Sequence, residues 1–187
     1  MSRRAAAGRA AARLSRLLAR ANEGVALAVG AALLAAAGWI LADVLSRRLG
    51  APLGHGEEIG GYVMAGATSW GFAYALTALA HVRIDLARAR LPGPGRAAAD
   101  VLAMWALAGV AAFVATKGWD VLATTLDRGA RANTPLETPL WIPQLLWWSG
   151  WVWFATCATL LALCAAIRLA TGDAAGVEEA AGPGVAA

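Results

Sequence analysis

Between Glu58 and His81 the chain runs for 22 residues without a formal charge, IGGYVMAGATSWGFAYALTALA. At about 1.5 Å per residue such a run makes a helix of roughly 33 Å, which matches a hydrocarbon core of about 30 Å. Two acids, Glu57 and Glu58, precede it, and His81, Arg83 and Asp85 follow it. The pattern predicts a membrane-spanning helix with charged groups at its two mouths and an uncharged centre.

The rest of the chain repeats the theme. Hydrophobic residues make up 59% of the sequence and charged residues 15%, against about 45–50% and 25% in ordinary soluble domains. The excess lies in long runs, so the expected fold class is an all-α integral membrane protein with four transmembrane helices. The spans are expected at about 24–45, 59–80, 97–116 and 145–167, within a membrane domain covering 23–168. The apolar runs do not alternate, which excludes a β-barrel.

Residues 1–22 hold Arg3, Arg4, Arg9, Arg13, Arg16 and Arg20 among alanines and leucines. The apolar run that follows is longer than the 7–15 residues of a signal-peptide core. A retained basic cytoplasmic tail is therefore expected, either solvated or folded as a short interfacial helix. The net charge of +4 does not suggest nucleic acid, because the arginines cluster beside apolar runs, where the lipid bilayer is the nearer partner. Eleven basic residues fall on the side of both termini and of the 81–96 connection, and five on the other side. The positive-inside rule then gives an N-in/C-in layout. The segment 169–187, rich in Gly, Ala and Glu, is expected to be a disordered cytoplasmic tail.

Turns and connections read as follows. Residues 47–56 form a short Gly-rich loop, and Pro92-Gly93-Pro94-Gly95 breaks the chain before the third span. Asp100 is expected in the first turn of that span as a dipole complement. Lys117–Gln144 is the longest polar connection. Trp141, Trp147, Trp148, Trp151 and Trp153 are expected to mark a membrane surface. Cys157 and Cys164, two helical turns apart, are too far for a disulfide and read as packing residues. Two stripes of small residues, Ala28/Ala32/Ala36 and Ala67/Gly71/Ala75, allow close helix approach within the bundle or against a partner.

Chemistry is sparse. His55 and His81 flank the second span at opposite ends and cannot share a metal or haem, so no cofactor is expected. An ion or solute path should leave an ionisable group near a helix midpoint. The midpoints carry only Thr68, Ser69, Tyr74, Thr77, Thr156 and Thr159. Glu57 and Glu58 are open to three readings: a helix N-terminus, a salt bridge to Arg47 or Arg48, or a contact to a partner subunit. Two rival functions stay open. One is a membrane enzyme acting on lipid headgroups through His81, Asp85 and Asp100; the other is a small homo-oligomeric channel.

The order of features is more specific than any one of them. An acidic pair (Glu57, Glu58) opens span two, and His81-Val82-Arg83-Ile84-Asp85 closes it. Leu91-Pro92 follows, and Pro139-Leu140-Trp141-Ile142-Pro143 leads into span four. In this the chain resembles the small membrane subunit, the Q-type component, of tripartite ATP-independent periplasmic (TRAP) transporters, over about residues 22–168. The resemblance implies a non-enzymatic small permease subunit in the bacterial inner membrane. It would scaffold a large multispan permease subunit during sodium-coupled uptake of an organic acid, such as a dicarboxylate, delivered by a periplasmic solute-binding protein. Glu57, Glu58, Ala67, Gly71, Ala75, His81, Arg83, Asp85, Pro139, Trp141 and Pro143 are the candidate partner-interface residues.

Overall fold

The computed structural model describes residues 3–51, 53–80 and 88–181, and its regular elements are all helical. These are α1 (Arg3–Arg48), α2 (Gly56–Thr77), a 3-10 turn at Arg88–Arg90, α3 (Gly93–Arg128), α4 (Trp141–Ala170) and α5 (Ala174–Ala181). Three of them, α1, α3 and α4, are long and apolar enough to cross a membrane. The 22-residue α2 is long enough, but its Gly, Ser, Thr and Tyr content makes it less apolar than the other three.

Several boundaries differ from the sequence expectation, each for a local reason. Helix α1 is one unbroken 46-residue rod, so the basic segment continues straight into the apolar one. No proline interrupts the alanine-rich junction, and Ala is the best helix former. Helix α3 runs on to Arg128, which shortens the expected 117–144 connection to residues 129–140. It stops at Gly129, whose φ of 57° is left-handed, with the Gly129 and Ala130 amides donating to Leu126 and Thr125 carbonyls. Because α3 starts at Gly93, Asp100 lies two turns inside the helix and is not a dipole complement of its first turn. In place of disorder throughout 169–187, Ala174–Ala181 form α5, with Val177 fully buried.

Helix α4 is the centre of the bundle. It packs against α1, α2 and α3, while α1 also packs along α2, and α5 covers one end of α3 and α4. The core joins Ala73 and Leu76 of α2, Met104, Ala108 and Ala111 of α3, and Phe154, Cys157, Ala158 and Leu161 of α4. Small side chains predominate, which lets backbones approach and gain dispersion contacts where lipid offers no hydrophobic advantage. Large apolar side chains such as Leu27, Leu34, Leu102 and Phe113 face outward, as a lipid-facing surface requires. Cys157 and Cys164 are buried and free, packing as small residues.

The tightest crossing is α2 on α4. A Cβ on Gly150 would lie 2.7 Å from Trp70 Cδ1 and 2.8 Å from Ser69 Cβ. Tryptophans contribute to this crossing and to that of α3 on α4. Trp148 Nε1 donates to the Ala115 carbonyl (2.8 Å), and Trp70 Nε1 to the Leu146 carbonyl (3.1 Å). Trp151 tilts against Phe72 and meets Phe154 edge to face, and Trp70 stacks on Trp153. An indole has one polar atom, and inside a bundle a neighbouring carbonyl can satisfy it as well as an interface can. Among the tryptophans expected at a membrane surface, Trp141 alone remains 41% exposed.

Gly150→Ala is expected to destabilise the bundle by about 1–3 kcal/mol through overpacking. Gly109→Ala, in the middle of α3 with nothing within 4 Å of its Cβ position, should be neutral or slightly stabilising. Thermal unfolding in detergent reads both, and an equal effect of the two would refute the close-approach argument.

Candidate functional site

Polar chemistry gathers in three places: an amide inside the bundle and one cluster at each end. The amide is Asn22. It is fully buried where α1 crosses α2 and α4. Its Nδ2 donates to the Ala73 carbonyl at 3.0 Å, and its Oδ1 accepts from Trp153 Nε1 at 2.9 Å. Thr77 Oγ1 and Cys157 Sγ lie beside it. An unsatisfied buried amide costs about 1–3 kcal/mol, so this bonding fixes the axial register of α1. The sequence reading placed Asn22 at the end of a basic tail, either solvated or folded as an interfacial helix.

At one end, the α1–α2 loop is closed by Asp43. This carboxylate, 2% exposed, accepts from Arg47 Nη2 and from the Gly54 amide, both at 2.6 Å. Ser46 adds a second clasp by accepting from the Leu53 amide at 3.1 Å. Next to it, Glu58 joins α2 to the α3–α4 connection. Tyr62 and Thr138 hydroxyls donate to Glu58 Oε1 at 2.7 and 2.9 Å. A cleft of about 700 Å³ lies between these loops, lined by Arg47, His55, Glu57, Glu58, Tyr62 and Thr134. Glu58 Oε2 and Thr134 Oγ1 are both buried in it. Neither acid pairs with Arg47 or Arg48; Arg47 belongs to Asp43.

At the other end, Arg88 bridges three elements. Its Nε and Nη2 donate to the two oxygens of Asp100 at 2.8 and 2.9 Å, and Nη2 also reaches Glu178 of α5 at 2.9 Å. The hydrogen bonds to Asp100 and then Glu178 raise the Arg88 pKa above the ordinary arginine value. Asp100, 3% exposed, is thus committed to a bidentate ion pair. Arg168, 7% exposed, donates through Nη1 to the Gly176 carbonyl and ties α4 to α5.

The candidate interface residues divide accordingly. Glu57 and Glu58 lie at the same end as Pro139, which bridges Arg131, and as Trp141 and Pro143 in the first turn of α4. Ala67, Gly71 and Ala75 run half-buried along α2, beside its buried face of Gly66, Ser69, Ala73 and Leu76. Nothing approaches the Gly71 Cβ position within 4 Å. Ala67 meets Ala28 and Ala32 of α1 across an apolar groove of about 300 Å³. His81, Arg83 and Asp85 lie outside the described residues. Among those that are described, no three His, Cys, Asp or Glu side chains form a metal-binding group.

Sequence reasoning missed Asn22, Asp43 as a loop clasp, and the Arg88–Asp100–Glu178 network. The first had one visible signal: an amide on the border between a basic segment and an apolar one. The network pairs residues far apart in sequence and had none.

The architecture defines a helical membrane subunit whose charged groups are confined to its ends. Residues 36–172 match the family described as tripartite ATP-independent periplasmic transporters, DctQ component, and the chain belongs to that family, the small membrane component of a TRAP transporter. No curated protein and no solved structure matches it.

Glu58→Ala removes the acceptor that holds the 129–140 connection to α2. Amide exchange at Ala132 and Leu140, whose N–H groups donate to the Thr138 and Ala130 carbonyls, should accelerate roughly tenfold. Unchanged exchange there would show that Glu58 does not order this connection.

Proposed function

We propose that this chain is the scaffolding small permease subunit of a TRAP transporter, and that the solute passes through its large partner. The observation that carries the reading is the filled interior. Among the described residues the bundle core is Ala, Leu, Met, Phe and Cys, with Asn22 bonded to two other helices. A conduit would need an ionisable or wettable midpoint, and family membership supports the same division of labour.

The finer picture is as follows. Helix α2 is the fourth span, lined by three more apolar helices, in a bacterial inner membrane with both termini cytoplasmic. The cleft at Glu57 and Glu58 then faces the periplasm, where a solute-binding protein delivers an organic acid such as a dicarboxylate for sodium-coupled uptake. The exposed Glu57 on its rim is open to a docked protein. The large subunit lies along the open side of α1 and α2. The most apolar stretch of α1 is uncovered, and Gly71 has space beside it. The enzyme reading loses Asp100, which is buried and paired with Arg88.

Co-purification of the large multispan subunit with a tagged copy of this chain tests the proposal. Gly71→Leu should leave the chain folded, because nothing inside it is near Gly71, yet reduce recovery of the partner at least tenfold. Glu58→Gln should reduce it less, since an end-of-helix carboxylate contributes about 0–1 kcal/mol. Recovery that ranks the two variants the other way removes the α2 stripe from the interface. Ion flux in liposomes holding this chain alone would replace the scaffold reading with a channel.

A further inference from the structure

A second cavity, at the opposite end from the Glu58 cleft, is basic. It has a volume of about 510 Å³ and lies between the N-terminal half of α1, the C-terminal ends of α2 and α4, and the first turn of α5. Ser15, Arg16, Thr77, Leu161, Arg168 and Asp173 are among its lining residues. Arg168 is 93% buried by its 7% exposure, and its Nε has no hydrogen-bond partner. A buried guanidinium N–H left unsatisfied is costly, so an acceptor is expected there. The acid in the wall does not supply it. Asp173 Oδ1 instead accepts the Gly176 amide at 2.9 Å and caps α5.

Arg16 extends the positive charge outward. It lines this cavity and also a shallower one shared with Arg13, Leu17 and Arg20. Arg9, Arg13, Arg16 and Arg20 fall on one face of α1, at spacings of four, three and four residues. Among the described residues none of the four forms an ion pair. Ala12, Ala19 and Leu161 complete an apolar floor beneath the cations. The whole sits where basic residues give way to the apolar run of α1.

We infer that Arg16 and Arg168 form a binding site for a phosphate group, as carried by the headgroup of an anionic phospholipid. A guanidinium fork matches phosphate oxygens bidentately, and the apolar floor suits the glycerol and upper acyl segments. The buried Nε of Arg168 would find its acceptor, and Arg16 would close the open side. The inference uses residues 12–20 and 161–176 and does not depend on which partner covers α2.

The test uses the full chain in maltoside micelles, which contribute no phosphate, with thermal protection as the readout. Short-chain phosphatidylglycerol should raise the midpoint in a saturable way. Its apparent affinity should fall at least fivefold in Arg16→Gln, an exposed position whose change leaves the fold intact, and recover partly in Arg16→Lys. Arg48→Gln, an equally exposed cation at the other end, should bind as the parent chain does. Inorganic phosphate is the second probe. Protection by lipid but not by phosphate places the source in the membrane, whereas equal protection, lost equally in Arg16→Gln, assigns the site to a soluble phosphate compound. Equal weakening by Arg16→Gln and Arg48→Gln, or binding unchanged in Arg16→Gln, overturns the inference.

Discussion

One amide sets the axial position of the longest helix. Alanine and leucine surfaces can slide past each other at little cost, because each offset offers nearly the same dispersion energy. Asn22 removes that freedom. Its donor reaches a carbonyl of α2 and its acceptor receives an indole N–H of α4, so only one offset satisfies both ends of the amide. A one-turn slip of α1 would bury the amide without partners, at a cost of about 1–3 kcal/mol. Everything carried on α1, from the Asp43 clasp to the arginine face, takes its height from this contact.

Charges in this protein are spent on closing ends. Asp43 gathers the α1–α2 loop, Glu58 attaches the α3–α4 connection to α2, and Asp100 holds the Arg88 turn. Asp43 and Glu58 each accept from a helix and a loop, and Asp100 takes both nitrogens of one guanidinium, arrangements that make a buried charge tolerable. Between these ends the bundle relies on close backbone approach, as at Gly150 against Ser69 and Trp70. Among the described residues, the charged contacts thus lie at the ends of the bundle and close packing lies between them.

The sequence made the helical class and three of the four expected apolar runs readable, because hydropathy is a local property. Helix lengths were less readable. Nothing in the residues near Asn22 or Lys117 breaks a helix, yet the change from polar to apolar composition looks like a boundary. The packing partners of the tryptophans were hidden for a related reason. An indole suits the membrane surface and a helix crossing equally, and only the carbonyl of Ala115 or the amide of Asn22 distinguishes them. The end clusters join residues as distant as Glu58 and Thr138, or Arg88 and Glu178, so no window of sequence contains them. At the Glu58 end the acidic pair was visible as a motif, but its hydroxyl partners were not.

Helix α1 also has a mechanical consequence. Forty-six residues make a rod of roughly 69 Å, more than twice the thickness of a hydrocarbon core. Its polar contact with the other bundle helices lies near the middle, at Asn22, so the rod has a fulcrum. A tilt of about 5° around that point moves Arg48 by roughly 3 Å at one mouth. The same tilt carries the arginine face the opposite way by half as much or less, because Arg9, Arg13, Arg16 and Arg20 lie closer to Asn22. A force on either end of α1 therefore acts on a lever pivoted at Asn22.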